Sequence, residues 1–508
     1  MRTKLLLYKI IFLLSFTIFF SSGHIENPDT HLRLTQARCW VDNGSIEVEK
    51  GFGELSHGNI AINKEGKQFS VYNPGQIIVF IPIYFISKYI VSDPVDTYYT
   101  SAFIASFLGY LVFGVIIIIF WELGGKLELP KRQVLITTLI FAFTSYCFAH
   151  AQDSYEQIYE ALFLLLCILF LLKKDLSEIS IILAAVSLGI GLIFRTTIII
   201  AVPGILWLIT RTREKVLFLF TLLPFIFLLL YYNFFRFGNP FETGYSLAWY
   251  QSFGKTSATS FTLVNIPKHS VALLFSFGKG LLWFSPSLIL VCWSIKNFWR
   301  HQRKLSVSLY IISICYIGFY AANFAWHGSA WNWGPRYIIP IVPLLYLNLF
   351  YLSGLKRKLG AAVCLLSFSV QILAISTFYK RDLIKILISK GDIFWTDNYF
   401  FNPSYSPIKG QIVSLYDVTK SISSPGPKST YLFRGPWKNE GRPASQQTML
   451  NNSIDLNTYN FWWVRELYMT GPILKKIFTL FLALLASLVL IILLKNLWKQ
   501  ANRNETML

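Results

Sequence analysis

Apolar runs of membrane length alternate with short polar breaks along most of this chain. One covers 5–21. Others follow at about 98–120, 133–149, 157–172, 178–194, 197–210, 216–233, 281–295, 305–323, 337–354, 359–378 and 473–494. Most approach or reach the roughly 17 to 25 residues that cross a bilayer as a helix. Residues 22–97 are polar to mixed, apart from Ile77 to Val91, an apolar patch interrupted by Pro82 and Lys88. Residues 379–472 are mixed again, rich in Tyr, Phe, Trp, Pro and Asn. The pattern predicts an all-α multi-pass transmembrane fold.

Composition strengthens that reading. The chain has 508 residues, of which 54% are hydrophobic and 14% charged. Soluble proteins carry about 25% charged residues. The net charge of +20 does not imply nucleic acid, because Lys and Arg gather in short clusters between apolar runs, as in cytoplasmic loops.

Those clusters also fix the expected topology. If 77–91 lies in the outer interface, they all fall on one side: Arg2/Lys4/Lys9, Lys126/Lys131/Arg132, Lys173/Lys174, Arg211/Arg213/Lys215, Lys296/Arg300/Arg303/Lys304, Lys356/Arg357/Lys358 and Lys495/Lys499/Arg503. If 77–91 crossed, they would scatter. The expectation is about 12 membrane helices with both termini cytoplasmic. The first run is read as a retained signal-anchor. The organisation is then a transmembrane core over 1–378 with outer loop 22–97 and its interfacial helices, a large extracytoplasmic loop over 379–472, and a last transmembrane helix with cytoplasmic tail over 473–508. Five of the six Cys lie inside apolar runs, and only Cys39 looks exposed, so no disulfide framework or metal pattern emerges.

The outer side collects the candidate chemistry. Asn27-Pro28-Asp29 reads as a helix start: Asn caps, Pro suits the first position, and Asp suits the positive end of the dipole. Asp29 and Arg33 then stand one turn apart on a face shared with Gln36 and Trp40, which by itself is an ordinary surface pair. His150-Ala-Gln-Asp153-Ser-Tyr-Glu156 supplies two more acids, although Ser154 and Gln157 have capping-box spacing. Arg195, Lys279 and Arg336 are cations beside predicted spans, where snorkelling is the plain alternative. Gly278, Gly280 and Gly334 suit close backbone approach.

Taken together, carboxylates and cations converge on one membrane face. A carboxylate can take a proton from an attacking hydroxyl, and Arg or Lys can neutralise a phosphate leaving group. No P-loop, HExxH or GxSxG occurs, so ATP hydrolysis, zinc proteolysis and serine hydrolysis lack support.

In layout the chain resembles the GT-C membrane glycosyltransferases, in particular bacterial relatives of the protein O-mannosyltransferases and of the lipid A aminoarabinose transferase. The resemblance rests on the acidic helix start at Asp29, the Tyr72-Asn73-Pro74-Gly75 turn and the His150-to-Glu156 loop. It continues through Arg195-Thr196, Asn239-Pro240, Phe275-Ser276-Phe277-Gly278-Lys279-Gly280 with Ser285-Pro286, and Trp333-Gly334-Pro335-Arg336-Tyr337. It implies a transferase that moves a sugar from a polyprenyl-phosphate donor to a lipid, glycan or protein acceptor on the periplasmic or extracellular face of a bacterial plasma membrane. Asp29 would be the catalytic base, with Glu26 competing for the role. Asp153 and Glu156 would shape the site, a divalent metal ion being an open alternative. Arg33, His150, Arg195, Lys279, His327 and Arg336 would bind the donor phosphate or sugar. The sequence departs from the family where Asp29 is followed by Thr30 and His31.

Two rival readings stand beside this one. A lipid-linked glycan flippase would show paired halves and midplane charges, and neither is evident. An O-antigen-type ligase or polymerase would share the outer loops but use a lipid-diphosphate donor.

Overall fold

The computed structural model describes residues 2–25, 27–49, 58–172, 177–254, 261–354, 357–421, 454–469 and 471–503. Glu26, Lys173, Lys174 and Lys356 lie outside these.

The apolar runs fold as helices. Among the described residues, five are long and apolar enough to cross a membrane: Pro94–Lys126, Thr212–Phe237, Arg303–Ala322, Lys358–Ser376 and Ile473–Asn502. Shorter apolar helices cover Leu6–Phe20, Gly75–Ile90, Glu178–Phe194, Thr196–Leu208, Leu263–Phe275 and Arg336–Tyr351. The chain is an all-α membrane protein with one small addition, an antiparallel hairpin of Ile60–Ile62 and Gln68–Ser70. Helix Glu156–Leu171 packs between Leu108–Lys126 and Glu178–Phe194, which lies against Thr212–Phe237, while the first helix, Arg2–Phe20, packs on the last, Ile473–Arg503. Their shared core is aliphatic and aromatic, from Phe16 and Phe113 to Leu188, Ile312 and Phe350.

Several expected spans are broken rather than continuous. The segment 133–149 ends its helix at Thr144 and resumes at Cys147–His150. The segment 281–295 runs as Leu281–Phe284, a 3-10 turn Pro286–Leu290, then Val291–His301. The segment 337–354 is 3-10 at both ends, with Pro340 and Pro343 inside. Proline removes a donor and clashes with the preceding turn, and backbone groups freed at membrane depth need partners. Hydroxyl and amide side chains supply them. Ser285 Oγ accepts from Tyr146 N at 2.8 Å, Ser367 Oγ donates to Thr144 O at 2.7 Å, and Gln371 Nε2 donates to Phe284 O at 2.6 Å.

Two segments expected to be loops are helical. Residues 266–275, partly inside the expected loop 234–268, form the helix Ile266–Phe275. Within 379–472 lie Lys380–Lys390, Asp397–Phe401, Pro407–Ser421, Ile454–Asn457 and Trp462–Tyr468. Their mixed polarity hid them, because they pack on protein along one face only. Cys39 also corrects the expectation. It is buried, because helix Gly75–Ile90 covers the helix that carries it, and Cys292 is the exposed one.

Candidate functional site

The helix expected at Asn27 forms as Pro28–Asn43. Asn27 caps it by accepting from Thr30 N at 2.8 Å, and Gly44 ends it at φ +65°. Asp29 and Arg33 share its first turns but do not pair with each other. Asp29 Oδ2 meets Arg336 Nη1 at 3.0 Å, and its Oδ1 accepts from Asn59 Nδ2 at 3.4 Å. Burial works against ionisation of Asp29, yet Arg336 and Arg33 outweigh it and hold its carboxyl below the usual range. Its side chain remains 17% exposed and that of Arg336 14%, so solvent or substrate can reach the pair.

Arg33 is buried and turns to Glu156, first residue of the helix Glu156–Leu171. Its guanidinium also lies 3.7 Å from the centre of the Tyr72 ring. The other oxygen of Glu156 pairs with Arg195, which caps Glu178–Phe194 in an extended conformation. Arg195 Nε reaches Glu160 Oε2 at 3.3 Å, and Nη2 donates to Tyr320 OH at 3.1 Å. Glu160 Oε1 accepts from Tyr316 OH at 2.7 Å and from Thr197 Oγ1 at 3.0 Å. Two guanidiniums thus face two carboxylates in a buried, charge-balanced lattice. The capping-box expectation fails here. The helix starts at Glu156 with no side-chain cap, and Ser154 Oγ bonds Tyr159 OH at 2.9 Å instead.

Lys279 and His150 hold the loop that carries Arg336. Lys279 is fully buried, and Nζ donates to Asn332 O at 2.6 Å and Gly334 O at 3.0 Å. Burial first, then Arg336, pushes its ammonium well below the ordinary lysine range. His150 Nε2 donates to Trp333 O, and burial lowers its pKa to about 3, so the ring is neutral. Gly334 sits at φ +64°, where a Cβ would come 3.0 Å from the Phe284 ring. Gly278 lets its N–H reach Phe400 O at 2.9 Å, and a Cβ there would sit 3.0 Å from Phe400 Cα.

Asp153 accepts from Asn27 Nδ2 at 2.7 Å, while its Oδ1 is buried without a hydrogen-bond partner. Burial raises its pKa to about 6, with Lys380 and Asn27 opposing. His327 lies in an aromatic layer, stacked on Phe400 with ring centres 4.2 Å apart.

The site thus brings together Asp29, Arg33, Asp153, Glu156, Arg195, Lys279, His150 and Arg336, all but Arg33 at or beside the end of an element. Among the described residues no cluster of three or more His, Cys, Asp or Glu side chains is placed to hold a metal ion. Glu156 is bracketed by two guanidiniums, which disfavours a further cation there. Sequence reasoning overlooked Glu160, Tyr316 and Asn332, and it met Tyr72 only in a turn, not as a neighbour of Arg33. Glu160 had a signal, being a carboxylate inside an apolar run. The others had none, since aromatic and amide residues abound in this chain.

Fold and site together define a multi-pass helical membrane protein with a charged cluster where its elements end. No protein-family model matches the chain, and no curated protein does. Solved structures similar to it include two of one protein. One is ArnT from Cupriavidus metallidurans bound to undecaprenyl phosphate, at 14% identity and TM-score 0.45, covering 83% of this chain and 72% of that one. The other is the same protein in the apo state, at 13% identity and TM-score 0.43, covering 83% and 70%.

Proposed function

We propose that this chain transfers a hexosyl or pentosyl group from a polyprenyl-phosphate donor to an acceptor hydroxyl on the extracytoplasmic side of the membrane. The observation that carries this is the reachable carboxylate–guanidinium pair of Asp29 and Arg336. Such a pair offers one group to take a proton and one to hold a phosphate. The anomeric carbon–oxygen bond to the phosphate breaks, and its electron pair leaves with the phosphate oxygen, stabilised by Arg336. The acceptor oxygen bonds the anomeric carbon and gives its proton to Asp29. The Arg33–Glu156–Arg195–Glu160 lattice fixes the helices that present these groups. His150 and Lys279 fix the loop.

The topology in this reading has about 12 membrane helices, Gly75–Ile90 in the outer interface and both termini cytoplasmic, which places every basic cluster inside. The polyprenyl tail lies among apolar helices, and the headgroup reaches the charged cluster.

The test uses purified protein in lipid, a panel of polyprenyl-phosphate sugars and a membrane extract as acceptor. Release of free polyprenyl phosphate is followed by mass spectrometry for wild type and Asp29→Asn. Release by wild type, lost in the variant, is expected. Release by both moves the base to Glu26 or Asp153. No release with any donor from folded protein overturns the reading in favour of transport.

A further inference from the structure

The cluster holds Arg33, Arg195, Lys279 and Arg336, and the first three are already committed. Arg33 and Arg195 each take one oxygen of Glu156, and Arg195 also engages Glu160. Lys279 spends its ammonium on two backbone carbonyls and has no exposed surface. Withdrawing any of these strands buried charge or unpaired carbonyls, which is costly.

Arg336 is held differently. Its ion pair with Asp29 is a single Nη1 contact, its other side-chain bond is a long 3.5 Å one to Asn332 Oδ1, and its Nε is buried without a partner. Both members of the pair keep a rim open to solvent, and a single contact is all that joins them. Gly328, at φ +66°, lies so close that a Cβ would sit 2.9 Å from Arg336 Cγ. The stem of the side chain is therefore fixed while its head can change partner.

We propose that the donor's phosphodiester binds Arg336 in exchange for Asp29, so that donor binding itself releases the carboxylate that receives the acceptor's proton. This rests on the functional reading above and adds a phosphate ligand and an order of events to it. The diester's two non-bridging oxygens can both engage the guanidinium, whereas Asp29 engages it through one oxygen. Once Arg336 is taken, Asp29 loses the neighbour that most favours its ionised form, and it becomes a better base. Without donor the base stays occupied, which protects the site from idle proton transfer.

The exchange predicts that removing the Asp29 carboxylate tightens binding of a lipid phosphate at Arg336. The experiment measures binding of farnesyl phosphate, a short form of the lipid phosphate that Arg336 holds when the sugar leaves, with inorganic phosphate in parallel, to the full chain in lipid nanodiscs. Asp29→Asn and Asp29→Ala are each expected to bind farnesyl phosphate about fivefold tighter than wild type, because the competitor for Arg336 is gone. Arg336→Gln is expected to lose binding. Equal or weaker binding by both Asp29 variants, or unchanged binding by Arg336→Gln, overturns the exchange while leaving a polyprenyl-phosphate site in place. Absence of farnesyl phosphate binding in every form, wild type included, overturns the functional reading and the exchange with it. Binding of inorganic phosphate alone at Arg336 would overturn the lipid donor but not the anion exchange.

Discussion

Glu156 stands between Arg33 and Arg195, one carboxylate oxygen to each. The three residues come from three separate helices, Arg33 from the second turn of Pro28–Asn43 and the other two from helix ends, so this carboxylate ties that segment to the bundle. Glu156→Gln would leave two largely buried guanidiniums short of counter-charge. Removing one partner of a buried pair costs about 3 to 5 kcal/mol. A marked fall in melting temperature in detergent is expected, larger than for Asp29→Asn, whose pair is partly exposed. Equal melting of the two variants would contradict the lattice.

Lys279→Met separates positioning from stability. The ammonium is buried without a carboxylate partner among the described residues, so losing its charge relieves desolvation while leaving two carbonyls unpaired. The net change in stability should be small, on the order of 1 kcal/mol. The loop presenting Arg336 loses its tether, so KM for the donor should rise about tenfold. Steady-state kinetics beside a melting curve would check this. Loss of fold with unchanged KM in the surviving fraction would refute it.

Asp153 gives a pH signature. An unfolded Asp titrates near 3.8, and the folded one near about 6. Between those values the folded chain holds the proton more firmly, so stability falls as pH rises through the window, and the full cost is present above about pH 6. Asp153→Asn should remove this dependence and melt at or above wild type at neutral pH. The Asn carbonyl can still accept from Asn27. Melting curves at pH 4.5 and 7.5 for both proteins decide it.

Asn27 does two jobs, capping through Oδ1 and donating to Asp153 through Nδ2. Asn27→Ala loses both and should destabilise by about 1 to 2 kcal/mol. Asn27→Asp keeps the cap but sets two carboxylates together, so it should be worse at neutral pH than at pH 5. Thermal melts at the two pH values would show the crossover.

The parts of this molecule that could be read from its sequence are those that physics settles locally. The cap at Asn27 and the Pro28 start are decided within a few residues. The apolar runs announce helices for the same reason. Arg33 marks where legibility ended: its neighbour Asp29 was in view, but its true partner is Glu156, across the fold. Nothing local distinguishes those choices, because the winner depends on which helix ends meet. The breaks near Ser145, Pro286 and Pro340 were invisible to hydropathy, since the hydroxyls that satisfy them barely alter an apolar average. Helix Ile266–Phe275 and those between Lys380 and Tyr468 escaped because they are only partly apolar.

The two ends of the chain are stitched together. Trp462 N donates to Ser21 O at 3.0 Å, Arg465 Nη1 donates to Ser22 O at 3.1 Å, and Asn460 bridges His24 and Gln152. This matters for biogenesis. The helix Arg2–Phe20 is made hundreds of residues before the segment that locks it. Until Asn460 and Trp462 emerge, Gln152 lacks its amide partner and the turn before Asp29 lacks its clamp. The charged cluster therefore stays unclamped until that segment has been made, and a chain cut short before Asn460 inserts its bundle without it.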